Sequence, residues 1–291
     1  MRRTNSYTVR GGVPRSEIRS VFVTCEGYRT EINYMNALSE SSEFLGMDPR
    51  INLVVLNRFS DENGLSDPLR VLDVSLDFLD WIRDRRLSVH LFTGAVLNNA
   101  RVEVWGPYRE ALAQALTSSG AADGDGIITD LDAARGVASE TLRDLGVGEV
   151  TMELPDHLFG DRDSLFVIVD RDKSKARTAE RYAEFLDRCG DADVHPVVTN
   201  PKFELWTLLH FEDSRDSLDA VVNSRNPSKA VDRELEKRTI PSKDYDFSEL
   251  VKNLDVAMEN SKRLTEDLQE LEDSVGTNMP ALVRHLRGKK G

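Results

Sequence analysis

The chain of 291 residues carries 38 basic and 51 acidic side chains, a net charge of −13 at pH 7, with 40% hydrophobic and 31% charged positions. Such a composition suits a soluble protein with one large core or two modest ones, and no segment reaches the uncharged apolar run of about 18 residues that a membrane-spanning helix needs. Two cysteines, Cys25 and Cys189, make neither a disulfide framework nor a four-ligand zinc site, and the acidity argues against a basic nucleic-acid coat while leaving a nucleic-acid enzyme open.

The charge is unevenly placed. Residues 1–19 hold Arg2, Arg3, Arg10, Arg15 and Arg19 against Glu17, a net of +4, and residues 284–291 hold another +4 in Arg284, Arg287, Lys289 and Lys290. The body between therefore carries −21. Basic ends on an acidic body read either as phosphate-grasping arms or as solvated termini, and the second is the simpler reading. No apolar stretch follows the basic N-terminus as a secretory signal would, so cytoplasmic residence is expected.

In chain order, Ser20–Cys25 (SVFVTC) is predicted as a buried strand closed by a Glu26-Gly27 turn. Helical spacing follows from Thr30, a candidate N-cap, with Ile32, Met35 and Leu38 on one face. Ile51–Leu56 is a second strand, apolar throughout as in a sheet covered on both faces, and Ser66–Arg86 a helix. Helices are also expected near Pro107–Leu116 and Leu131–Leu145, around a flexible-looking GAADGDG at 120–126. Residues 121–163 hold eleven acids against three arginines, which reads as an inserted acidic subdomain. The sheet pattern returns at Leu165–Val169, followed by a helix over Thr178–Cys189 and a strand over Val194–Val198, where Pro196 sits poorly with a central position. A short apolar helix, Lys202–Phe211, and a long polar one near Ser248–Glu272 complete the pattern. The expected organisation is a basic arm (1–19), an α/β core (20–80 and 160–215), an acidic, mostly helical insertion (81–159) and a helical C-terminal region (216–291).

Chemistry is expected where acids follow apolar strands: Glu26 after SVFVTC, and Asp170 with Asp172 after LFVIV. The carboxyl ends of parallel strands open onto the usual site crevice. Two acids two residues apart in an extended segment project to one side, and carboxylates gathered there call for a hard cation such as Mg²⁺ or Mn²⁺, which can orient a phosphodiester for attack. In Lys202–Phe211, Glu204, Thr207 and His210 form one polar stripe on an otherwise apolar helix. They serve either as a network docking the helix on the sheet or as base, ligand or substrate contact in the crevice.

Three segments together are distinctive: Val23-Thr24-Cys25-Glu26-Gly27-Tyr28-Arg29-Thr30-Glu31, Phe166-Val167-Ile168-Val169-Asp170-Arg171-Asp172, and Thr199-Asn200-Pro201-Lys202-Phe203-Glu204-Leu205-Trp206-Thr207-Leu208-Leu209-His210-Phe211. The chain resembles the RloB-like family, whose members show a C-E-G-x-x-T-E turn, a D-x-D strand end and an S-N-P-x-F-E-x-W-x-L-L-H-F segment. Gly276-Thr277-Asn278-Met279-Pro280 looks like a divergent closing motif. Thr199 replaces the usual Ser, and the acidic insertion is longer than the family pattern suggests.

The resemblance implies a TOPRIM-like α/β fold, a mostly parallel sheet flanked by helices, in a family associated with prokaryotic restriction and phage defence. It implies Glu26 as general acid/base and Glu26, Asp170 and Asp172 as Mg²⁺ ligands. Glu204 and His210 are further catalytic candidates, and Arg29, Thr30, Glu31, Lys173 and Asn200 candidate substrate contacts. The expected activity is metal-dependent cleavage of DNA or RNA, tRNA included. The alternative is a non-catalytic sensor or binding subunit that acts through a defence partner protein. No membrane partner is expected.

Overall fold

The computed structural model describes residues 18–27, 29–56, 67–100, 106–147, 160–172, 178–238 and 246–288. Its centre is a five-stranded sheet made by β1 (Arg19–Cys25), β2 (Ile51–Leu56), β3 (Ser164–Asp170), β4 (His195–Asn200) and β5 (Gly276–Thr277). The order is β2-β1-β3-β4-β5; the first four strands run parallel and β5 is antiparallel to β4. The continuous apolar runs exist because both faces are covered. Alternate residues leave the strands in opposite directions, so Phe22, Leu165, Val167 and Val169 join one core while Val21, Val23, Phe166 and Ile168 join the other.

The first core is closed by α2 (Pro68–Asp84), α3 (Val89–Ala100), α4 (Gly106–Ser118), α5 (Leu131–Asp144) and α6 (Ala179–Asp191). Asp67 caps α2, its side chain accepting from Leu69 N at 3.2 Å, with Pro68 in the first turn. The sequence reading placed no element over α3. Leu91, Phe92, Ala95, Val96 and Leu97 are all buried there, and a helix covered on most sides lacks the polar stripe by which helices are recognised. The GAADGDG segment, read as flexible, is tied down: Asp123 Oδ1 accepts from Asp125 N and Ile127 N at 3.0 and 2.8 Å, and short bridges join Ser88 to Ile127 and Ala122 to Ile128.

The second core lies under α1 (Thr30–Glu40), α7 (Glu204–Leu208), α8 (Ser214–Val222), α9 (Pro227–Glu236), α10 (Phe247–Leu250), α11 (Leu254–Ser261) and α12 (Met279–Leu286). The long polar helix expected over Ser248–Glu272 is instead α10, a 3-10 turn at Val251–Asn253, α11 and a second 3-10 turn at Glu270–Glu272. The chain has to leave helical geometry there because Thr265 O accepts the N–H of Thr277, at 3.0 Å, beside β5. Thr265 approaches so closely that a Cβ on Gly276 would overlap its carbonyl oxygen and meet Leu271 Cδ2 at 2.9 Å. Thr30 is the first residue of α1 and not its cap.

Two arginines of the basic C-terminal run are docked, which neither reading of the termini anticipated. Arg284 pairs with Glu266 at 2.6 Å, and Arg287 with Asp255 at 2.7 Å. Residues 1–17 and 289–291 lie outside the described residues. Among the described residues, no helix is long and apolar enough to cross a membrane.

Candidate functional site

β1 and β3 are neighbours in register, with Cys25 opposite Ile168, and Glu26 N extends the ladder by donating to Ile168 O at 2.8 Å. The side chains that follow the two strands therefore meet. Glu26 Oε2 accepts the N–H of Asp170 at 2.9 Å, and Asp170 Oδ1 accepts the N–H of Phe203 at 2.8 Å. Glu26 thus caps the end of β3, and Asp170 ties that end to the start of α7. Glu26 is buried, Asp170 half-buried and Asp172, beyond the last residue of β3, exposed.

Glu31 completes the turn. Its position in the first turn of α1 lets Oε1 reach back to Gly27 N at 3.1 Å, and a Cβ on Gly27 would overlap its carboxylate. The glycine of the Glu26-Gly27 pair is therefore a matter of space. Burial, with the nearby charges of Glu204 and Glu26, raises the Glu31 carboxyl to about 7. Glu204 is half-buried at the start of α7, so Glu26, Glu31, Glu204 and Asp170 share the carboxyl edge of the sheet.

On the first-core side of Asp170 lies a shallow, open cleft lined by Asp67, Pro68, Asp170, Arg171, Arg181 and Tyr182 beside the Thr178 cap of α6. Arg171 is buried, its guanidinium 4.9 Å from the centre of the Tyr182 ring, and Arg181 pairs with Asp67. Sequence reasoning named Asp170 but missed Asp67 and Arg181, because they belong to different helices and show no common spacing.

His210 is not brought to this edge. It is fully buried, with Nδ1 against Trp206 O at 2.9 Å and Nε2 against Tyr34 Oη at 3.1 Å. A carbonyl only accepts, so Nδ1 carries the proton and Tyr34 donates to Nε2. Burial lowers the imidazole to about 4 and raises the Tyr34 hydroxyl, which agrees with two neutral partners. Asn200 likewise faces structure, its Nδ2 donating to Leu271 O at 2.8 Å. Arg29 is exposed and Thr30 half-buried near the Glu26 turn, and Lys173 lies outside the described residues.

The oxygen donors of Glu26 and Asp170 fit a hard cation such as Mg²⁺, which takes one or two carboxylates and completes its shell with water and substrate oxygens. Among the described residues no group of three His, Cys, Asp or Glu side chains is disposed to hold an ion. The fit is thus to a two-carboxylate site that substrate helps to complete, and not to a ready three-carboxylate cage of Glu26, Asp170 and Asp172.

Fold and edge together define an α/β protein with paired acids at the carboxyl ends of adjacent parallel strands. The chain belongs to the RloB-like protein family, whose model matches residues 21–286. Comparison with curated proteins finds no match, and neither does comparison with solved structures.

Proposed function

We propose that the protein is a TOPRIM-type nuclease that cleaves DNA or RNA with Mg²⁺ or Mn²⁺ in prokaryotic anti-phage defence, by abortive infection. The observation that carries this reading is the Glu26–Asp170 pair at the ends of β1 and β3, joined by the Asp170 N–H. Glu26 and Asp170 would hold the cation, which when bound polarises a phosphoryl oxygen and acidifies water. Glu31, raised to about 7, shares a proton with solvent near neutral pH and so moderates the crowding of charge beside Glu26.

Asp170→Asn is the informative variant, because an amide oxygen can still accept from Phe203 N and so spare the fold. Purified wild type and D170N are incubated with Mg²⁺ or Mn²⁺ and plasmid, single-stranded DNA or tRNA. The variant should be slower by about 10²–10³-fold, the scale of removing one electrostatic transition-state contact. If wild type cleaves none of these substrates better than D170N does, the reading fails for them.

A second reading rests on the same bonds. The Glu26 and Asp170 carboxylates both accept main-chain N–H groups, a structural duty that a sensor or binding subunit working through a partner protein would also need. That reading is favoured if D170N keeps its full cellular phenotype while deletion of residues 121–163 abolishes it.

A further inference from the structure

Two bonds hold the acids of the carboxyl edge, and they come from different helices. Glu31, in the first turn of α1, accepts from Gly27 N and so fixes the turn that carries Glu26. Phe203 N, at the start of α7, donates to Asp170 Oδ1. The separation of the two carboxylates therefore depends on how α1 and α7 are set against each other. α7 has five residues, too few for a helix to hold its place without outside contacts.

Tyr34 supplies those contacts. It stands one turn after Glu31 on α1 and is fully buried. Its ring meets that of Phe203 edge to face, with centres 5.4 Å apart, and its hydroxyl donates to His210 Nε2 at 3.1 Å. His210, just beyond α7, donates from Nδ1 to Trp206 O at 2.9 Å and sets its ring edge-on to Trp206, with centres 5.3 Å apart. One side chain of α1 is thus tied to both ends of α7, at the residue that holds Asp170 and at the residue that closes the helix. Apolar packing has no direction and would let the short helix turn. The Tyr34–His210 bond fixes it, because a hydrogen bond weakens steeply once misaligned.

We propose that Tyr34 and His210 are positioning residues, whose bond locks α7 on α1 and so sets the Glu26–Asp170 separation for a divalent cation. Both act at one remove, through Phe203 N and through the Glu31 bond to Gly27 N. His210, singled out in the sequence by its polar stripe, thereby acts on the site without reaching it. The proposal rests on the two-carboxylate cation site of the function above and not on its cleavage chemistry.

The test is Mn²⁺ binding to the full chain, followed by the electron paramagnetic resonance of the free ion, beside amide hydrogen exchange without metal. Tyr34→Phe removes the hydroxyl and keeps the ring. Y34F should bind Mn²⁺ about tenfold more weakly, the low end of what the loss of an outer partner costs a metal site. Its Asp170 and Phe203 amides should exchange faster than its loss of global stability explains. H210Q, whose amide can donate to Trp206 O and accept from Tyr34, should keep most of both properties. Leu112→Ala opens a cavity in the first core, on the other face of the sheet, and should lose stability with Mn²⁺ affinity unchanged. If Y34F does not fold by circular dichroism, H210L is read in its place.

Mn²⁺ affinity unchanged in Y34F overturns the proposal and leaves the cation site standing. A fall in affinity without faster exchange at either amide also overturns it, since the effect would not pass through Phe203, and so does an equal fall in L112A. Wild type that binds Mn²⁺ no better than D170N overturns the proposal together with the cation site. Affinity lost by Y34F, beside a wild type that binds Mn²⁺ and cleaves nothing, leaves this clamp standing while the nuclease reading falls.

Discussion

Gly27 is the residue on which the turn after β1 depends, because the space a side chain would fill is held by the Glu31 carboxylate. Gly27→Ala has to push that buried carboxylate off its bond to Gly27 N. Overpacking of this kind costs about 1–3 kcal/mol. In an E31A background the obstacle is gone, so the same substitution should cost less than about 1 kcal/mol, a coupling that a double-mutant cycle by urea unfolding reads directly. Equal costs in the two backgrounds would show that the turn, and not Glu31, excludes the side chain. Thr24 shows the same economy at the buried face of β1: Ser75 Oγ donates to Val71 O at 2.7 Å, which leaves its lone pair to accept from Thr24 Oγ1 at 2.6 Å. The Thr24–Ser75 contact joins different elements far apart in sequence and so has no spacing by which the sequence could announce it. The acids at strand ends were legible because a charged residue ending an apolar run is conspicuous. The role of His210 was not, since a stripe on a helix does not say which neighbour it meets.

Strand β4 shows how an element can be legible while its setting is not. Pro196 looked unsuited to an inner strand, yet residues 196, 198 and 200 turn their polar groups away from β3. There β5 pairs only with Thr199 and Asn200. Beyond that short strand Asn278 takes over the ladder. Its Oδ1 accepts from Val198 N at 2.6 Å, its Nδ2 donates to Pro196 O at 2.9 Å, and its own N–H donates to Val198 O at 3.2 Å. The proline's missing N–H falls where a side chain, not a strand, is the partner. Asn278→Ala leaves a buried N–H and a carbonyl at this edge without their partner, at a cost of about 1–3 kcal/mol. Urea unfolding should show the midpoint fall at unchanged m-value, and a change below about 0.5 kcal/mol would mean that water replaces the amide. The four parallel strands could be read from composition because burial on both faces leaves an uninterrupted apolar run. The two-residue β5 could not, since two residues show no alternation and its place is fixed by Thr265, whose carbonyl accepts from Thr277 N.

For the molecule as a whole, the net charge of −13 conceals opposing local arrangements. Arg284 and Arg287 neutralise acids of the fold, while Arg70 and Arg109 close on a histidine. Stability should show a similar opposition between two buried groups. His210, lowered to about 4 from 6.5, favours the folded state above pH 6.5, and that contribution is lost as pH falls through 4. Glu31, raised to about 7 from 4.5, contributes in full below pH 4.5, and its contribution is lost as pH rises through 7. Between pH 7 and 5 each changes stability by about 2 kcal/mol, in opposite directions. Half-buried His285, also lowered to about 4, adds to the His210 side. His210 and Glu31 alone would cancel, so wild type in EDTA, with no divalent cation beside the acids, should lose only the His285 part between pH 7 and 5, less than about 2 kcal/mol because that ring is half-exposed. Glu31→Gln removes one side of the balance, so E31Q should lose about 2 kcal/mol more than wild type on the same acidification, while H210Q should lose about 2 kcal/mol less than wild type. Urea unfolding at the two pH values reads all three. Parallel curves for E31Q and wild type would show that Glu31 does not carry the opposing half, and a wild type that loses the full amount would place its proton uptake on the histidines alone.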